Sequence, residues 1–374
     1  MAVQTETDVS EQTSAPATPK IAVVYTTPET VLDDIARAMR LADYTQTLSL
    51  DAATLLKINI SWQHYYPACS TTPWQLEGVI KTLRADGFGE LIPTHNGTVV
   101  VDPHEGAINN KHTVVEDKYG LQSVYLDYPP VEWIEYKPKA KMLVLDDIYP
   151  EGIQIPEMFI GKNIVHMPTV KTHVFTTMTG AMKNAFGGLL NRKRHWTHSV
   201  IHETLVDLLA IQREIHPGVF AVTDGTFAGD GPGPRAMRWH AKNVIIAGAD
   251  QVAVDAIAAR LMGFDPLSIG YIRIAHEMGL GIGDTDSIEI VGDDISGVNW
   301  RFKQNENTFA SRGQKLIYWG PLKPLENMLL RSPITPWAFV ASNLYHNEYW
   351  LRLIGRRRIR AAMKTGWGKL FQSY

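Results

Sequence analysis

The chain has 374 residues, 45% of them hydrophobic and 20% charged, and a formal net charge of -3. At about 100–200 residues per domain this makes one large or two moderate globular domains, and the near-neutral balance excludes a global electrostatic pull towards nucleic acid. Cys69 is the single cysteine, which excludes an intrachain disulfide, a cysteine-ligated iron–sulfur cluster and a multi-cysteine zinc site, and fits a cytoplasmic protein.

Residues 1–20 lack an apolar run behind a basic start and read as a polar tail rather than a secretory signal. "IAVVYTT" then predicts a strand, and "ETVLDDIARAMRLAD" a helix with apolar residues at helical spacing. "TLLKINI" is a second strand, "PWQLEGVIKTLRADG" a helix entered through Pro73 and closed at Gly87, and "ELIPTHN" a third strand. Gly97 to Lys139 shows little periodicity. "KMLVLDD", "GIQIPEMFI" and "NIVHMP" resume strand character, and "SVIHETLVDLLAIQREI" is an amphipathic helix with Ile201, Leu205, Leu208 and Leu209 on one face. The strand "GVFAVTDG", a Gly/Pro-rich loop from Asp224 to Pro234, the strand "KNVIIAGA" and the helix "DQVAVDAIAARLMG" follow. A helix in "PLSIGYIRIAHEMG" and a strand in "SIEIVG" close this part. Strands alternating with helices predict an α/β fold, with mostly parallel sheets flanked by helices as two lobes around a cleft, about 21–150 and 151–298. A helical or irregular extension covers 299–374, and no apolar run is long enough to span a membrane.

In such sheets ligands gather beyond the carboxyl ends of the strands, and the polar clusters fall there. Lys57 and Asn59 end the second strand, Lys171 and His173 follow "NIVHMP", and Asp224 ends "VFAVTD". Thr179 and Gly180 open a short helix whose free N–H groups suit an anion, with Lys171 and Lys183 as countercharge. The plain alternative is a threonine-capped helix with solvent-facing lysines. Asp224 and Asp230 offer oxygens to a hard divalent cation such as magnesium, or else serve as turn aspartates. Asp250 reads as a helix N-cap, whereas Asp255 sits among alanines and valines and needs a lysine, a cation or backbone donors as its partner. His195, His198 and His202 have helical spacing, yet their basic neighbours oppose a cation and favour packing or anion contact. From Tyr349 onward five arginines and two lysines, with no acids, are interleaved with apolar side chains such as Trp350, Trp367 and Phe371. That segment is expected to pack on the domain, or else to dock peripherally on a membrane or a protein partner, with nucleic acid the least favoured.

The ordered clusters resemble the domain of unknown function 362 family over roughly residues 20–292. The matching pieces are Lys57-x-Asn59, Thr72-Pro73 with "LRADGF", Pro168 to Lys171-Thr-His173, Thr179-Gly180-Ala-x-Lys183-Asn184 with Gly187, Asp224-Gly225 with "GPGP", and Asp250-x-x-Ala253-Val254-Asp255 with "LMGFDP". Relatives with a ferredoxin-like cysteine module imply an iron–sulfur cluster, which the single cysteine removes here. A looser likeness in layout to the amino-terminal half of nickel-dependent lactate racemases implies a cleft enzyme acting on a small anionic substrate. Two functions remain open. In the first, an enzyme, Lys57, Lys171 and Lys183 bind an anionic group, Asn59 and Asn184 orient it, Thr72, Thr179 and Gly180 add to the ligand-binding set, and Asp224 or Asp255 holds a cation or moves a proton, with Lys171 and Asp255 as catalytic candidates. His173, whose ordinary pKa lies near neutrality, is then the expected proton-transfer residue. In the second, a non-catalytic cofactor-binding or assembly protein uses the same pocket and docks through its basic tail.

Overall fold

Eleven strands hydrogen-bond into one mixed, mostly parallel sheet in the computed structural model, which describes residues 18–98, 101–304, 306–326, 328 and 343–374. The polar tail expected over 1–20 falls almost wholly outside the described residues. The strands are β1 (Lys20–Tyr25), β2 (Thr54–Ile58), β3 (Leu91–His95), β4 (Val124–Tyr125), β5 (Trp133–Tyr136), β6 (Ile153–Pro156), β7 (Asn163–Met167), β8 (Thr169–His173), β9 (Thr177–Thr179), β10 (Val219–Asp230), β11 (Arg238–Ala241), β12 (Val244–Gly248) and β13 (Glu289–Gly292). The main path runs β13-β1-β12-β10-β7-β2-β3-β4, while β5 and β6 pair apart from it. β10, β7, β2, β3 and β4 are parallel, and β12 runs antiparallel to both β1 and β10. Because β7 lies between β2 and β10, the stretches 21–150 and 151–298 share one sheet rather than building one each.

Alternation along each strand sends neighbouring residues into opposite layers. Leu55, Ile164, Ala221 and Ile246 join one core with the helices Ile201–Ile215, Gln251–Met262 and Gly270–Glu277. Leu56, Val165, Phe220 and Ile245 join the other, with the helices Val31–Leu41 and Pro73–Ala85. The Pro73 helix begins as its sequence demands: Thr72 and Gln75 form a reciprocal capping box, and proline occupies the first turn. Asp250 is the expected cap, accepting from the N–H groups of Val252 and Ala253.

Three stretches differ from the expectations. "KMLVLDD" is no strand, because the N–H groups of Leu143, Val144 and Leu145 all donate to the Asp207 carboxylate instead of a ladder. The Gly-rich run expected as a loop from Asp224 to Pro234 is one only from Gly231 onward: β10 continues to Asp230, paired with β11 from Phe227. Glycine is what permits this, since a Cβ on Gly229 would lie 2.5 Å from Met237 Sδ and 3.1 Å from Lys171 Cβ. Between Gly97 and Lys139 two helices, Pro103–Asn109 and His112–Lys118, are too short to show a period.

The C-terminal segment packs on the second layer. Trp367 lies against Trp74 with ring centroids 5.2 Å apart, Phe371 stacks on Tyr65, and Trp350 meets Trp62 and Tyr66. Trp367 Nε1 donates to Asn243 Oδ1, and Tyr374 Oη to Glu77 Oε2. Packing therefore accounts for Trp350, Trp367 and Phe371, while Arg352, Leu353, Ile354, Arg356, Arg357 and Arg360 stay exposed. Trp367→Ala should lower the unfolding free energy by about 3–5 kcal/mol in urea denaturation. A change within about 0.5 kcal/mol would mean that this segment is not part of the core.

Candidate anion site at the carboxyl ends of the parallel strands

The carboxyl ends of β2, β3 and β7 bring Lys57, Asn96 and His166 side by side, with Lys57 in register with His166. Lys57 is buried and donates from Nζ to the Ile58 carbonyl (2.7 Å) and to Asn96 Oδ1 (2.7 Å). An ammonium carries three N–H donors, so one is left over. Asn184 donates from Nδ2 to the Lys57 carbonyl (2.9 Å) and lies 3.2 Å from His166 Nδ1. Burial pulls Lys57 down to about 7, and the Arg194 guanidinium adds to the shift while Asp127 opposes it.

Lys171, in β8, is fully buried and has all three donors engaged, on Asn59 Oδ1, the Cys69 carbonyl and Thr169 Oγ1, each at 2.8 Å. Its pKa also falls to about 7 through burial. With its oxygen held by Lys171, Asn59 turns its amide nitrogen outward with no partner among the described residues. Lys183 is different. It is half-buried, its Nζ lies over the Phe186 ring at 5.1 Å, and among the described residues it has neither a hydrogen bond nor a carboxylate partner. Burial, together with the like charge of nearby Arg194, lowers it to about 8.

His173, the expected proton-transfer residue, ends β8. Its Nδ1 accepts from the N–H of Phe175 (3.2 Å) and faces the Thr176 hydroxyl, so the ring is the neutral tautomer with its proton on Nε2. Burial, followed by Lys183, His198 and Lys171, holds its pKa well below 6.5. In this tautomer the ring offers an Nε2–H donor. Thr179 Oγ1 is buried without a partner among the described residues.

The helix N-terminus after Gly180 does receive an anion, but from within the chain. Asp255 accepts from the N–H of Ala181 (2.6 Å) and Met182 (3.2 Å), which answers its need for backbone donors. Gly180 has to be glycine there, because a Cβ would lie 2.1 Å from Asp255 Oδ1. Burial raises Asp255 to about 7 against the pull of those N–H groups. Asp224 accepts from the Thr72 hydroxyl, Trp74 Nε1 (3.1 Å) and the Thr226 N–H (2.6 Å). Thr72 is thus a cap and a donor to Asp224, at a distance from the lysines in its contacts. Asp230 takes Arg238 at 3.0 Å and the Lys303 N–H at 2.8 Å. A divalent cation on Asp224 or Asp230 would have to displace these donors, and the described residues contain no grouping of three His, Cys, Asp or Glu suited to a metal.

The structure thus links Lys57 with Asn96 and Asn184, links Lys171 with Asn59, sets Lys183 within electrostatic reach of Lys171 and His173, seats Asp255 on the turn at Gly180, and keeps Asp224, Asp230 and Thr72 in other networks. Reading the sequence missed Asn96 and Arg194. Asn96 carries the same signal as Asn59, an amide just past a strand end, whereas Arg194 looked like one of several surface cations in "NRKRHW". His198 packs against Phe175 and Tyr318, and His202 accepts from the Tyr271 N–H, so the three histidines do not converge.

A family model for a domain of unknown function, DUF362, matches residues 54–260 and so takes in the whole of this cluster. The chain belongs to the DUF362 family. The chain is also similar to the thylakoid-associated protein sll1697 of Synechocystis sp., 26% identical over 124 residues, which is 31% of this chain and 37% of that protein. No solved structure matches. Within this DUF362 chain, the lysine burial has a measurable consequence. The unfolded chain binds more protons than the folded one between about pH 8 and 10.5 at Lys183, so the destabilisation from its charge is full below pH 8 and fades as pH rises to 10.5. The unfolding free energy of Lys183→Met minus that of wild type should therefore fall across this interval in chemical denaturation. A pH-independent difference would mean the ammonium is fully hydrated.

Proposed function

We propose that the Lys57, Lys171 and Lys183 cluster binds a small anionic ligand, a carboxylate or a phosphate. The observation that supports this most is Lys183, a half-buried ammonium whose nearest charge influence is another cation, Arg194, and which no carboxylate neutralises among the described residues. A buried charge left without a partner is costly, and an incoming anion removes that cost. Lys183 supplies the direct charge, Lys57 its remaining N–H, and Asn59 and His173 neutral donors, while Lys171 fixes Asn59. Where proton transfer accompanies binding, Lys57 is better placed than His173, because a pKa of about 7 lets it exchange a proton at neutral pH.

A second reading, a non-catalytic protein attached peripherally to a membrane or larger complex, is favoured by the exposed arginines at 352, 356, 357 and 360. It also agrees with the thylakoid association named for the relative. Among the described residues no helix is long and apolar enough to cross a membrane.

The test of the first reading is thermal stabilisation by a panel of phosphate, pyrophosphate, citrate and lactate. At least one should raise the wild-type Tm, and Lys183→Ala should weaken that anion by about 10–100-fold, the worth of one charge-assisted hydrogen bond. Equal stabilisation of wild type and variant would refute the assignment.

A further inference from the structure

More than half of the exposed large hydrophobic side chains among the described residues lie between Phe309 and Ile354. They are not scattered. In the helix Phe309–Tyr318, Ser311, Ile317 and Tyr318 turn inward, whereas Phe309 is 86% and Leu316 48% exposed. Phe309, Arg312, Leu316 and Trp319 recur at intervals of three, four and three, which is a single stripe along one helix face. The chain then turns through Lys323–Leu325 and adds Leu322, Leu325 and Met328 to the exposed set. An amphipathic helix normally shows water its polar side, and this one shows an apolar side.

The segment is held firmly from within. Trp319 Nε1 donates to the Ser199 carbonyl (2.9 Å), Tyr318 stacks on His198, and Phe175 meets both Tyr318 and Trp319 edge-on. Its charges are one-sided: Arg312, Lys315 and Lys323 are cations, while the one described acid, Glu326, is buried and takes the Ser199 hydroxyl at 3.0 Å. Arg312 is exposed within the stripe and Lys323 beyond its end, and none of the three cations has an ion pair among the described residues.

We propose that this face docks on an anionic bilayer surface. Phe309, Leu316, Leu322, Leu325 and Met328 enter the headgroup–acyl boundary, Trp319 lies at its rim, and Arg312, Lys315 and Lys323 meet lipid phosphates. This rests on the reading of peripheral attachment but moves the contact from the basic tail to a different surface. Because the inner side of the segment packs on Phe175 and His198, next to His173 and Phe186, docking also brings the anion site to the bilayer.

The experiment is co-sedimentation of the full chain with phosphatidylcholine vesicles, with and without phosphatidylglycerol. Wild type should sediment with the anionic vesicles and far less with the neutral ones. Phe309→Asp with Leu316→Asp should weaken binding by at least about tenfold without lowering Tm, and Arg312→Glu with Lys323→Glu should remove the preference for anionic lipid. Alanine at Arg356, Arg357 and Arg360 should leave binding intact. If that triple variant loses binding and the Phe309 variant does not, the tail is the contact and this surface is wrong, while peripheral attachment stands. Wild type remaining in the supernatant overturns both. A dimer in sedimentation velocity that Phe309→Asp with Leu316→Asp dissociates, with vesicle binding unchanged, would make the face a contact between copies and overturn the proposal.

Discussion

Two buried lysines, Lys57 and Lys171, and a half-buried third, Lys183, set the terms for the rest of this structure, and of the three Lys57 is the one whose charge is favoured by a carboxylate, Asp127. An ammonium in a low-dielectric site either loses its proton or finds acceptors, and the fold uses both routes. Lys171 is saturated by three acceptors, Lys57 by two, and Lys183 by none that the described residues supply. The series is thus graded in its hydrogen bonding.

The carboxylates that seemed natural counterions are committed elsewhere by geometry. Asp255 closes the turn at Ala181 and Met182 from below, so the partial positive charge of that helix end is answered before any ligand arrives. Asp224 knits β10 to the Pro73 helix through Thr72 and Trp74. Asp255 thereby fixes the turn that carries Lys183, while Asp224 fixes the start of the Pro73 helix. Asp127 is the carboxylate that acts on Lys57 and pairs with Arg194, and the anion we propose would answer Lys183, whose pKa is lowered by burial and by a like charge.

Much of this was legible in the residues. The strands β1, β2, β3, β7 and β12 and the helices Pro73–Ala85, Ile201–Ile215 and Gln251–Met262 follow their apolar periods, and the rule that ligands gather at strand carboxyl ends located Lys57, Asn59 and Lys171. What the residues could not reveal depends on partners far away in the chain. "KMLVLDD" has strand composition, yet a carboxylate at Asp207 captures its N–H groups; the run after Asp224 has loop composition, yet close neighbours at Gly229 make it a strand. The state of His173 likewise hangs on donors at Phe175 and Thr176 and on two lysines nearby, so its ordinary pKa was a poor guide.

Lysine-selective ¹³C NMR across a pH titration examines the ammonium gradient head-on, with Lys57 and Lys183 assigned by substitution and spectra taken with and without the stabilising anion. The account predicts that in the free protein Lys57 titrates near 7 and Lys183 near 8, and that the bound anion moves Lys183 upward. Both lysines titrating at their ordinary value of 10.5, unmoved by any anion, would contradict it.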